Sequence, residues 1–266
     1  MRFLGKRLPY KYNLHRSIEK DSDKLFCNHV KLMNNIPKSA DLREGYSEIK
    51  DQSNLGACTS FSACSVLEYL LDKNIDLSEL YFYYKEREED GSISEDSGST
   101  IARSAEVATE IGTCIESLDP YIIENFAKQP TNEADVDAKK HHALTKYRLK
   151  TIDEILYSIG VERVPVLIGC QVFESMELVE KDGYVPMPEP YEQYLGGHAI
   201  NICGYFYKKK NVFGKIKSIF NKDKYNGLYF IARNSWSKNF GHDGYMYLPV
   251  DFVRRYSNDW WQINIK

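Results

Sequence analysis

Four side chains of this sequence could share one piece of chemistry: Gln52, Cys58, His198 and Asn234. Cys58 follows Gly56-Ala57 and opens the stretch CTSFSACSVLEYLL, whose apolar spacing is helical. A thiol at a helix start is met by backbone N–H groups and the positive end of the helix dipole, which favour the thiolate and so a nucleophile. Such a thiol needs a base. His198, in LGGHAINICGYF, follows two glycines at the opening of an apolar strand, where absent side chains let another backbone pass close. Asn234 ends the apolar run YFIARN, and its amide oxygen could accept the imidazole N–H, fixing tautomer and orientation without adding charge. Trp236, two residues on, could shield that bond from water. Gln52 lies six residues before Cys58, near enough for its amide N–H to join the Cys58 backbone N–H at one developing oxyanion. Cys64, Cys170 and Cys203 sit within apolar patterns and read as core.

The elements that must position these residues fall into two kinds. After the helix opened by Cys58, LSELYFYYKERE has the Ser-plus-acidic start of a second helix, and IARSAEVATEIG predicts a third beyond the acidic loop EEDGSISEDSGS. Past residue 143, ALTKYRLK, VPVLIGCQVF, HAINICGYFY, GLYFIARNSW and GYMYLPV are short, β-branched or aromatic, and bounded by Gly, Pro or Asn, which predicts strands. Helices first and strands second imply an α+β protein with two segregated lobes. The expected division is an N-terminal arm over 1–36 and a catalytic unit over 37–266, with a helical lobe at about 51–125 and a β-rich lobe at about 126–266.

At 266 residues, 42% hydrophobic and 27% charged, the composition is that of a folded globular chain, which excludes disordered and collagen-like classes. A net charge of −3 argues against a dedicated nucleic-acid binder. Basic character is concentrated in YKKKNVFGKIKSIFNKDKYN, residues 207–226, with seven Lys and one Asp. This insert reads either as a solvated hairpin extension or as a basic amphipathic surface for an anionic or protein partner. The six cysteines form no CxxC pair, so neither a zinc site nor a disulfide framework is expected, and no metal or organic cofactor is implied. No signal-like apolar run or membrane-spanning window occurs, and the expected placement is the cytoplasm or another reducing compartment.

Taken together, DLREGYSEIKDQSNLGACTSFSACSVLEYLL, GGHAINICGYF and YFIARNSWSKNFGHDGYMYLP resemble, in order and spacing, the papain-like cysteine peptidases. The 140-residue step from Cys58 to His198 lies within the roughly 130–150 residues expected of them. The resemblance implies a two-lobed papain-like fold with the site in the interlobe cleft, and a peptidase acting on peptide or protein substrates. It makes Cys58 the nucleophile, His198 its base, Asn234 the orienter of the histidine and Gln52 the oxyanion donor. It makes Gly98, Ser99 and Thr100 the cleft strand that pairs with substrate backbone, and Gly197, Ala199 and Trp236 further substrate contacts.

Departures from the family pattern are Leu55 in place of a disulfide cysteine, Thr59 and Phe240 in place of tryptophans, and Ser237 in place of a glycine. They bring the chain nearer to the disulfide-poor branch of bacteria and large DNA viruses, and a viral source would extend the placement to the virion or infected host cell. Three alternatives stay open: acyl transfer at the same site, deamidation there, and a catalytically silent papain-fold binding protein that uses the insert. The acidic loop with Glu88, Glu89, Asp90, Glu95 and Asp96 is either solvated or favours basic side chains nearby. The arm is too short for a cathepsin-type inhibitory domain. As a candidate propeptide of a zymogen it would cross the cleft as an extended strand; otherwise it braces the β-rich lobe.

Overall fold

The computed structural model describes residues 8–29, 35–208 and 224–266; the Lys-rich stretch 209–223, and with it most of the expected contact surface, lies outside them. Helices are α1 (Phe26–His29), α2 (Cys58–Leu71), α3 (Glu79–Glu89), α4 (Ile101–Glu110), α5 (Asn132–Ala138), α6 (Ile152–Tyr157), α7 (Glu174–Glu177) and α8 (Val250–Tyr256). Strands are β1 (Ala40–Asp41), β2 (Thr145–Leu149), β3 (Val166–Phe173), β4 (Tyr194–Tyr207), β5 (Leu228–Arg233), β6 (Tyr245–Pro249) and β7 (Ser257–Asn264). The strands form one antiparallel sheet in the order β2-β7-β3-β4-β5-β6, with β1 pairing on β4. This is the two-lobed α+β papain-like architecture.

Local chemistry explains the helix starts. Ser78 accepts from the Tyr81 N–H at 3.0 Å to cap α3, and Thr100 accepts from the Arg103 N–H at 3.0 Å to cap α4. α2 differs: Ala57 offers no side-chain cap, so its first N–H groups stay free to face other acceptors. Every residue of α2 from Cys58 to Glu68 is buried, as befits a helix wedged between lobes.

Strand alternation divides the cores. Val166, Ile168, Ile200, Ile202 and Trp260 point into the β-rich core, whereas Leu167, Ala199, Trp261 and Ile263 pack with α2 and α4 residues. The sheet therefore serves as a wall for both lobes. Strand β7 was not anticipated from SNDWWQIN, which begins polar and lacks a clean alternation. Its adjacent tryptophans are used separately, one in each core, and tertiary packing overrides the weak local signal. Past the expected lobe boundary near 125, α5 still packs with the helical side, where Ala134 and Ala138 bury against Tyr81 and Cys114.

Candidate active site

The N-terminus of α2 delivers Cys58 to the floor of the cleft, fully buried. Burial pushes its thiol up to about 12, while the backbone N–H groups of Ala199, Thr59 and Cys58 itself act in the opposite direction. The contact with Ala199 sets the sulfur beside the residue that follows His198.

Strand β4 carries His198, with Cys170 of β3 opposite it, and β5 ends one residue before Asn234. The Asn234 Oδ1 accepts from the Ser235 backbone N–H at 2.9 Å and lies 2.8 Å from His198 Nε2. An amide oxygen can only accept, so Nε2 carries the proton and Nδ1 is the bare nitrogen. Among the described residues no group hydrogen-bonds Nδ1. Burial drives the His198 imidazole down to about 4, with the Asn234 bond opposing. Trp236 stacks on the imidazole at 4.6 Å and 27°, and Phe240 meets the indole edge-on at 4.8 Å.

Gln52 is held from both ends of its amide: Oε1 accepts from Ser235 Oγ at 2.6 Å, and Nε2 donates to the Leu55 carbonyl at 3.1 Å. That leaves one Nε2 hydrogen for another acceptor. Ser235 thus ties Gln52 to the Asn234 loop, a role the sequence did not signal because the serine is one letter in a longer motif.

The cleft is occupied by the chain's own arm. The Leu14 N–H donates to the Gly197 carbonyl at 3.1 Å and the His15 N–H to the Ser99 carbonyl at 2.9 Å, so the strand passes between the two walls. Pairing is parallel on both sides, Asn13 with Gly197 and His15 with Thr100. A Cβ on Gly98 would lie 1.9 Å from the Asn13 carbonyl oxygen, and one on Gly197 would lie 2.4 Å from that of Leu14. These positions are glycine because a backbone runs against them. Tyr10 stacks on Trp236 at 5.1 Å and 12°, and Tyr12 meets the His198 ring edge-on at 6.4 Å, its hydroxyl donating to Glu177. Farther along, Leu25 bridges to Arg148 and Phe26 is buried in the β-rich core. The arm both crosses the cleft and braces that lobe.

Gln52, Cys58, His198 and Asn234 therefore converge, and Gly98, Ser99, Gly197 and Trp236 line the same groove through the arm that they touch; Thr100 caps α4 at its edge. Ala199 faces α2. None of the six cysteines is joined to another. Among the described residues no cluster of His, Cys, Asp or Glu could hold a metal ion, and no helix is long and apolar enough to cross a membrane.

Comparison with known proteins agrees with this geometry. The sequence profile described as "Papain family cysteine protease" matches residues 36–256. An uncharacterized peptidase C1-like protein of Acanthamoeba polyphaga mimivirus is 31% identical over 245 residues, covering 86% of this chain and 73% of that one. Cysteine proteinase 3 of Entamoeba histolytica is 26% identical over 220 residues, covering 81% of this chain, which spans only 63% of that protein. In fold, the chain is similar to xylellain, a cysteine protease from Xylella fastidiosa, with a TM-score of 0.82, 24% identity and 99% of each chain covered. A recombinant stem bromelain precursor superposes with a TM-score of 0.64 and 19% identity over 88% of this chain and 72% of that one. With the family profile matched over residues 36–256, the chain belongs to the papain family of cysteine proteases and is a peptidase.

Proposed function

We propose that this peptidase hydrolyses peptide bonds through Cys58 as nucleophile and His198 as general base, and that the arm holds it latent until displaced. The observation that carries the first part is the bare His198 Nδ1, fixed by the Nε2–Asn234 bond on the wall that also meets the Cys58 sulfur. Once water and substrate enter, the Cys58 proton passes to Nδ1 and the thiolate attacks the scissile carbonyl carbon. The oxyanion is met by the Cys58 backbone N–H and the remaining Gln52 Nε2–H. The imidazolium returns its proton to the leaving amine as the C–N bond breaks, leaving a thioester. A water that loses its proton to His198 then attacks, releasing the acid and restoring the thiol.

Latency follows from occupancy. Tyr10 and Tyr12 cover Trp236, and the backbone of residues 13–15 uses the carbonyls of Gly197 and Ser99 that an incoming peptide would need. A tethered strand competes at an effective concentration set by its linker.

The test is peptide hydrolysis by the full chain and by chains starting at residues 20 and 37. Faster turnover without the arm is expected, and equal kinetics in all folded forms would reject latency. Activity surviving Cys58→Ala would reject the nucleophile. Gln52→Ala is expected to lose roughly 10²–10³ in kcat.

A further inference from the structure

Four arm side chains hydrogen-bond carboxylates of the rest of the chain: Lys11 on Asp96, Tyr12 on Glu177, Ser17 on Asp259 and Lys20 on Glu106. The charges of the chain are divided the same way. Residues 1–36 carry eight Lys or Arg and three Asp or Glu, whereas the chain outside the arm and the 207–226 insert carries 20 against 34. Within the described arm, Lys11 and Lys20 meet that acidic body directly.

Of these acids, Asp96 is the one built into the site. Its Oδ1 accepts from the Gly56 N–H at 2.9 Å and from the hydroxyl of fully buried Tyr83 at 2.7 Å. Its Oδ2 takes the Lys11 ammonium at 2.6 Å, and its backbone carbonyl accepts from Asn13 Nδ2 at 2.8 Å. The side chain is 13% exposed. A Cβ on Gly56 would lie 2.9 Å from Asp96 Oδ1, so the glycine permits the approach. One carboxylate oxygen is thus fixed by two donors and the other is aimed at a cation. Gly56 lies two residues before Cys58, so the carboxylate is tied to the loop that delivers the nucleophile, with the two Cα atoms at most about 8 Å apart.

Resting on the peptidase reading with Cys58 as nucleophile, we propose that Asp96 is a specificity-determining residue. When the arm leaves, Asp96 receives the cationic side chain of a lysine or arginine at the substrate residue that supplies the scissile carbonyl. Lys11 is the internal occupant of the same place. A substrate ammonium or guanidinium then makes a charge-assisted hydrogen bond to Oδ2, and an arginine can fork across the carboxylate edge. The surrounding acidic field draws basic segments toward the cleft.

The experiment compares two peptides identical except for arginine or its neutral isostere citrulline at that residue. Binding is measured on the full chain carrying Cys58→Ala, and turnover on the full chain with Cys58 intact. Competition from the arm weakens both peptides equally and cancels in the ratio. The arginine peptide is expected to bind about 10- to 100-fold tighter, with the preference falling as salt rises. Adding Asp96→Asn should bring the ratio near one; Asp96→Ser, whose hydroxyl can still accept from the Gly56 N–H, serves if the Asn variant does not fold. Equal binding of the two peptides, or a preference that survives replacement of Asp96, overturns the proposal. Preferential binding without turnover by the Cys58 chain would leave Asp96 as the reader and defeat the peptidase mechanism instead.

Discussion

Two groups of ionisable side chains pack at α2, and they stand in opposite charge states. Lys50 reaches Glu68 at 3.0 Å, Asp76 at 2.6 Å, Glu79 at 2.8 Å and the Leu77 carbonyl at 3.0 Å. Burial works against its charge, but Glu79 and Glu68 outweigh it and raise the Lys50 pKa. Among the described residues Cys58 and His198 have no cation or anion that favours their charged forms; burial, with Glu86 adding to it at the thiol, outweighs the Ala199 N–H and the Asn234 amide and holds thiol and imidazole uncharged. Cys58 and His198 are fully buried whereas the Lys50 side chain is 26% exposed, so burial and partner act together. The cover over the second group includes the arm, so under the proposed displacement its charge state changes while that of Lys50 does not.

The largest effect should come from removing the neutral pair itself. Cys58→Ala is expected to abolish peptide hydrolysis and His198→Ala to come close, since neither has a neighbour that could substitute. In stability the order reverses. Lys50→Met strands buried carboxylates and should cost about 3–5 kcal/mol in urea unfolding, against roughly 1 kcal/mol or less for Cys58→Ala, which strands no charge.

Acid should open the arm. The His198 imidazole lies near 4 with the cleft closed, against 6.5 for the ordinary group, so the open form binds the proton more readily between those values. Closure is therefore at full strength above pH 6.5 and weakens toward pH 4, by up to about 3 kcal/mol. Hydrogen-exchange protection at the Leu14 and His15 amides should fall over that window, and a pH-independent protection factor would contradict the neutral-pair account. The smallest effect is expected from Tyr12→Phe, which loses one bond to Glu177. It should speed the full chain about 5- to 10-fold, toward but not beyond the rate of a chain starting at residue 37, which lacks the arm.

Much of the catalytic constellation was legible because it depends on short local patterns: a Gly-Ala turn before Cys58, paired glycines before His198, an apolar run ending at Asn234. The glycine pair even announced a close backbone. What it could not announce was whose backbone, since Tyr10, Tyr12 and Leu14 lie in a mixed polar segment without periodicity and take their places only from the groove. Asp96 was one acid among five in a loop that read as either solvated or favouring basic side chains nearby; its fixing by Gly56 and Tyr83 is a long-range fact. Strand β7 escaped for the same reason, since its pattern serves two cores at once.

The position of β7 also bears on how the molecule is made. It lies inside the sheet, between β2 and β3, although its residues follow every other strand in the chain. His198 is synthesised 66 residues before Asn264, an interval of roughly 3–13 s at 5–20 residues per second. Until β7 arrives, β3 lacks one neighbour, Trp261 cannot pack against the helical side, and Asp259 cannot meet the arm's Ser17. During synthesis Cys58 and His198 therefore precede by several seconds the strand that completes the groove between them. The segment that fills the groove, by contrast, precedes both of its walls in the chain and must wait for each.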